Sequence, residues 1–150
     1  MAHADAQDRC TTWSYDAAGK LVERVDANEH NLRYRWDKLG RLIGLENEND
    51  SKATFLYDPV GRLLEEKGFD GLVTRYQYDP DSGRLASTQV GQRRIDITFD
   101  AVGRLASRTA RQGDQRQEET FAYDGNGKLI QAINADSKLQ WFHDEAGNLI

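Results

Sequence analysis

One short pattern recurs along this chain and constrains its architecture more than any other feature. An aromatic is followed by Asp, then by Gly, a basic residue and Leu. The copies read YDAAGKL from Tyr15, WDKLGRL from Trp36, YDPVGRL from Tyr57 and YDPDSGRL from Tyr78. FDAVGRL follows from Phe99, YDGNGKL from Tyr123, and HDEAGNL from His143. Successive copies start 21, 21, 21, 21, 24 and 20 residues apart. Repetition at this period means that each copy is one small unit that must bury its apolar side against its neighbours.

Each copy reads as a hairpin. Trp13 and Tyr15 stand two apart, as do Tyr34 and Trp36, Phe55 and Tyr57, Tyr76 and Tyr78, and Phe121 and Tyr123. Ile97 with Phe99 and Trp141 with His143 keep the same spacing. A spacing of two places both side chains on one face of a strand, and aromatics favour strands. Asp at the first and Gly at the fourth position then suit a type I turn, with Pro59 and Pro80 at the second position. The carboxylate can accept from the turn's own N–H groups, and the glycine closes the hairpin through a bulge. A second strand follows, as at residues 21–25, 42–45 and 129–133.

Two departures place the connections. The fourth copy has one extra residue between Asp79 and Gly83, yet the next step is still 21, so the connection at residues 90–92 must be shorter. The step of 24 adds three residues, expected as a surface loop in the polar stretch 110–118. Polar, turn-rich stretches at 26–31, 46–51, 68–71 and 134–137 join the hairpins. The expectation is an all-β antiparallel meander of seven hairpins of about 21 residues, with about fourteen strands in all. Such a sheet would be a ribbon about 65 Å long and about 20 Å tall, and strand twist would curl it. A propeller blade needs about 40 residues, twice this period. Residues 1–12 carry no copy and read as a leader, either a linker or an addition to the native chain. Residues 13–150 are the array.

Composition narrows the function. Charged residues make up 30% of the 150 and hydrophobic residues 38%, which is polar for a globular domain. The formal net charge is −5, and no Lys/Arg stripe suggests a nucleic-acid partner. No apolar run approaches the roughly 18 residues of a membrane span, and the first residues lack the pattern of a signal peptide. Cys10 is the only cysteine, so no internal disulfide is available.

The repeated residues carry the candidate chemistry. Asp16, Asp37, Asp58, Asp79, Asp100, Asp124 and Asp144 could pair as acid–base carboxylates, but each occupies the same turn position, which turn geometry explains. Gly19, Gly40, Gly61, Gly83, Gly103, Gly127 and Gly147 close those turns. Lys20, Arg41, Arg62, Arg84, Arg104 and Lys128 could hold an anion; pairing with Asp or stacking on the neighbouring aromatic is the plainer reading. Exposed Trp13, Trp36, Tyr57, Tyr78 and Trp141, with partners such as Tyr15, could stack on sugar rings. Packing of this ladder against itself is the reading preferred. His3, His30 and His143 lack metal-site spacing, and Asp26-x-Asn28-x-His30 lacks the Gly and Glu of a calcium loop. No enzyme, cofactor or metal is expected.

These copies, with preceding pairs such as Tyr76 and Tyr78, resemble YD repeats. Such repeats occur in bacterial Rhs proteins, the C components of Tc toxins, wall-associated proteins and teneurins. The resemblance covers about Trp13 to Ile150. It implies a segment of a continuous β-sheet that spirals into a hollow shell around a toxic C-terminal domain. It also implies a bacterial parent protein delivered to a target cell, often by type VI secretion in interbacterial competition. The implied partners are the remaining repeats, the enclosed toxin domain and components of the secretion apparatus. Open sheet edges also invite self-association. Asp58-Pro59-Val60-Gly61 matches the letters of the DPxG-type motif of the self-cleaving region in these shells, but it lies in the repeat register and reads as a turn.

Overall fold

The computed structural model describes residues 2–4, 10–144 and 148–149, with backbone alone for residues 2–4. The strands are β1 (Ala2–Ala4), β2 (Cys10–Tyr15), β3 (Leu21–Val25), β4 (Asn31–Trp36), β5 (Leu42–Asn47), β6 (Lys52–Tyr57) and β7 (Leu63–Lys67). They continue as β8 (Val73–Tyr78), β9 (Leu85–Val90), β10 (Arg93–Phe99), β11 (Leu105–Gln112), β12 (Gln115–Tyr123), β13 (Leu129–Ile133) and β14 (Lys138–Gln140). Strand order follows chain order, as a meander requires. No helix occurs among the described residues. The chain divides into two compact units, Met1–Arg75 and Tyr76–Ile150, with the division inside β8.

In the first unit the hairpins β2–β3, β4–β5 and β6–β7 close through the Asp turns. Gly19, Gly40 and Gly61 donate their N–H to the carbonyls of Asp16, Asp37 and Asp58, each at 3.0 Å. Just before each Asp the register slips by one residue, between Ser14 and Tyr15, Arg35 and Trp36, and Leu56 and Tyr57. That slip is the expected bulge. The connections between hairpins turn out to be the same turn in other letters. Glu29 donates to the Asp26 carbonyl at 3.0 Å and Asp50 to that of Asn47 at 3.1 Å. Glu29 and Asp50 therefore take the positive φ, 66° and 56°, that glycine takes in the Asp turns.

The two faces of this unit differ. Trp13, Tyr34 and Phe55 share one face, set by their register opposite Arg24, Leu45 and Glu66. The other face carries a charge ladder across β3 to β6. Arg33 lies 3.3 Å from Glu23 and 3.6 Å from Glu46, and Lys52 lies 3.4 Å from Glu46. Exposed pairs of this kind are each worth about 0–1 kcal/mol.

The second unit repeats this plan with two changes of length. β9 and β10 are joined by Gly91 and Gln92 alone, the short connection expected there. The three added residues of the next step do not form a loop. They lengthen β11 to eight residues and β12 to nine, around the two-residue turn Gly113-Asp114. The added polar residues stay in strand register, with Gln112 facing Gln115, and Arg111 pairs with Asp96 on β10 at 2.6 Å.

Burial is shallow. Ala53, 5% exposed, is the one buried apolar side chain among the described residues, and no large side chain is fully buried. A single layer has no second layer to cover it, so stability must come from contacts along the sheet.

Candidate functional site

The repeated motif is a set of linked contacts, and each of its residue types has a separate task. The Asp carboxylate organises its own turn. Asp37 Oδ1 accepts from the N–H of Leu39 and of Arg41, both at 2.9 Å. Asp58 Oδ1 accepts from Val60 at 3.0 Å and Arg62 at 2.8 Å, and Asp100 Oδ1 from Val102 at 3.1 Å and Arg104 at 2.8 Å. Asp16, Asp124 and Asp144 accept from the residue four positions on, at 2.7–2.9 Å. The second oxygen takes the arginine: Nε of Arg41, Arg62 and Arg104 lies 2.6, 2.6 and 2.7 Å from Asp37, Asp58 and Asp100.

These bonds shift the carboxylates. The N–H of Arg41 and that of Arg104 hold Asp37 and Asp100 below the ordinary 3.8, with the guanidinium adding to the effect. Burial pushes Asp58 upward, but the side chain and N–H of Arg62 outweigh it, so this carboxyl also lies low. Asp58 has both oxygens engaged within its own turn, as a turn residue does.

The same arginine reaches the next hairpin. Arg41 lies over the Tyr57 ring, 5.1 Å from its centroid, and donates to the Asp58 carbonyl at 3.0 Å. Arg104 lies 4.6 Å from the Tyr123 centroid and donates to the Asp124 carbonyl at 3.3 Å. The aromatic answers in the other direction. Trp36 Nε1 donates to the Leu21 carbonyl at 2.7 Å, Tyr57 to Leu42 at 2.8 Å, and Tyr123 to Leu105 at 3.0 Å. At the Tyr57 and Tyr123 junctions one hairpin is thereby clamped to the one before it by a ring, a guanidinium and two backbone carbonyls.

Trp13, Trp36, Tyr57, Tyr78 and Trp141 are half-buried. At Tyr57 the cause is local: Arg41 lies over the ring and the Leu42 carbonyl takes its hydroxyl. Tyr15, in the first copy, is 52% exposed. Tyr34 and Trp36 lie with rings nearly parallel, 6.5 Å apart. Trp141 and His143 were expected on a strand, but β14 ends at Gln140 and His143 makes only an isolated bridge to Leu149. Gly147 lies outside the described residues. The stretch read as a leader supplies β1 and the first residues of β2, paired as Ala2–Thr12, His3–Thr11 and Ala4–Cys10.

Removing one clamp hydroxyl tests the arrangement. Tyr57→Phe should lower unfolding free energy by about 1 kcal/mol, the net worth of one hydrogen bond, as read by urea denaturation. An unchanged midpoint would show that the hydroxyl–Leu42 bond contributes nothing.

Comparison with known proteins follows the same lines. The RHS Repeat family model matches residues 1–30, 15–52 and 57–94. No curated protein matches the chain in sequence. Among solved structures, the TcdB2-TccC3 complex is similar with a TM-score of 0.79 at 22% identity, over 93% of this chain and 9% of that one. The Tc holotoxin pore of Photorhabdus luminescens gives a TM-score of 0.79 at 21% identity, over 94% of this chain and 9% of that one. At these identities the likeness is one of fold, and this chain spans about a tenth of the length of the chains it matches.

Proposed function

The chain belongs to the RHS repeat family, and from that premise we propose that it is a non-catalytic segment of a β-shell wall. The parent protein would enclose a C-terminal toxin domain and carry it to a target cell, by secretion or by delivery through a type VI apparatus. The observation that carries this reading is the use made of the motif. Asp, Arg and the lead aromatic of successive copies are spent on holding hairpin to hairpin. That is the requirement of a wall, in which each unit must grip the next.

The second reading, recognition of glycans through the aromatics, is less favoured at Trp36 and Tyr57 than packing. Trp36 and Tyr57 have their polar ends bonded, and Arg41 covers Tyr57.

Protease protection of the complete gene product tests the shell. Under native conditions its non-repeat C-terminal segment should survive trypsin, while the same segment produced alone is digested. Equal digestion of the two would refute enclosure.

A further inference from the structure

Two departures from the pattern meet at one junction in the second unit. In the fourth copy the turn holds an extra residue, and Asp79 Oδ1 accepts from the N–H and the hydroxyl of Ser82, both at 2.7 Å. Arg84 consequently lacks the bond that Arg41, Arg62 and Arg104 make to their own turn carboxylates, and it forms no ion pair among the described residues. Its guanidinium lies 5.4 Å from the Phe99 centroid, against the backbone of Gly103. In the fifth copy the lead aromatic is Phe99, which carries no hydroxyl. The bond that Tyr57 gives Leu42 and Tyr123 gives Leu105 therefore has no counterpart at Leu85.

Between these two departures lies a groove of about 410 Å³, with Leu85, Ala86, Ile97 and Phe99 supplying apolar lining and Asp79 and Arg84 supplying charge. That volume falls in the range of ligand sites, roughly 300–1,000 Å³. Asp100 also lines it, but its charge is answered by Arg104 at 2.7 Å. Arg84 is thus a cation without a carboxylate beside an apolar surface, and guanidinium–carboxylate contacts are among the strong hydrogen bonds.

We infer that this groove binds a polypeptide segment in which an aromatic or aliphatic side chain seats on Phe99 and Ile97 and an adjacent carboxylate meets Arg84. Asp79 at the other edge suits a basic residue on the same segment. The groove belongs to this sheet alone, so its failure to bind would leave the enclosure experiment unaffected.

The test is a titration of the full chain, labelled with nitrogen-15, with the capped dipeptide N-acetyl-Phe-Glu amide. Saturable amide shifts at Leu85, Ala86, Ile97 and Phe99 are expected, with a Kd on the order of 1 mM for so small a probe. Three changes should each weaken binding by about fivefold or more: Arg84→Gln, Phe99→Tyr, and the neutral probe N-acetyl-Phe-Gln amide. Phe99→Tyr supplies the missing hydroxyl and should also raise the melting midpoint, so its loss of binding would not come from unfolding. If Arg84→Gln disturbs the spectrum as a whole, Phe99→Tyr and the neutral probe decide. No saturable shift, or equal binding by both probes and by Phe99→Tyr, would overturn the inference.

Discussion

Replacing Gly103 with alanine should destabilise the second unit by about 1.5–3 kcal/mol. Two costs combine. Gly103 has a φ of +89°, where a side chain is strained by about 1–2 kcal/mol. A Cβ there would also run into the Arg84 guanidinium, which must leave its place over Phe99. An exposed cation–π contact of this kind is worth about 0.5–1 kcal/mol. Gly19 supplies the control, since it has a φ of +78° and nothing within 4 Å of its missing Cβ. Gly19→Ala should cost the strain alone. Thermal or urea unfolding of both variants reads the difference, and Gly103→Ala in an Arg84→Ala background should lose the excess. Equal costs at Gly19 and Gly103 would remove Arg84 from the account.

Acid should undo the array cooperatively. Asp26, Asp37, Asp79, Asp100 and Asp124 are held below the ordinary carboxyl value of 3.8 chiefly by bonds from their own turns, the N–H of Asn28, Arg41, Arg104 and Lys128 and the hydroxyl of Ser82. Asp58 is pushed up by burial and pulled further down by Arg62, so it joins them. A carboxylate with a lowered folded pKa stabilises the fold at all pH values above its unfolded pKa. The contribution disappears as pH falls through the folded value, because the unfolded chain then binds more protons. The melting midpoint should therefore be nearly level from about pH 5 to 7 and fall steadily below about pH 4. The triple variant Asp37→Asn, Asp58→Asn, Asp100→Asn keeps an oxygen to accept the turn N–H bonds but loses the ionised partner of each arginine. It should start lower at neutral pH and show a shallower acid limb. An acid limb as steep as that of the parent would mean that other carboxylates govern the transition.

The clamp explains why so polar a chain can fold. With Ala53 the one buried apolar side chain described, apolar burial is thin. Arg41 and Arg104 supply what burial does not, since each is bonded to its own turn and laid over the next ring. The extra residue before Gly83 changes this arrangement at Arg84, beside the groove.

The hairpins, their turns and the order of the strands were legible in the sequence because they depend on contacts within about five residues. Asp37 with Leu39 and Arg41 is such a contact, and so is the glycine that follows. The shortened connection at Gly91 and Gln92 was legible too, by arithmetic on the period. The links between hairpins were not. Trp36 reaches Leu21 and Tyr57 reaches Leu42 over 15 residues, and those pairs exist only once the register of neighbouring strands is set. The same holds for the half-burial of the aromatics, for the three added residues that lengthen β11 and β12, and for Trp141 and His143, which lie beyond the last strand. Glu29 and Asp50 occupy a glycine's conformation without being glycine, a position dictated by the strands on either side and not by their own preference. Local chemistry wrote the repeat; strand register, a property of the folded sheet, decided what each repeat holds.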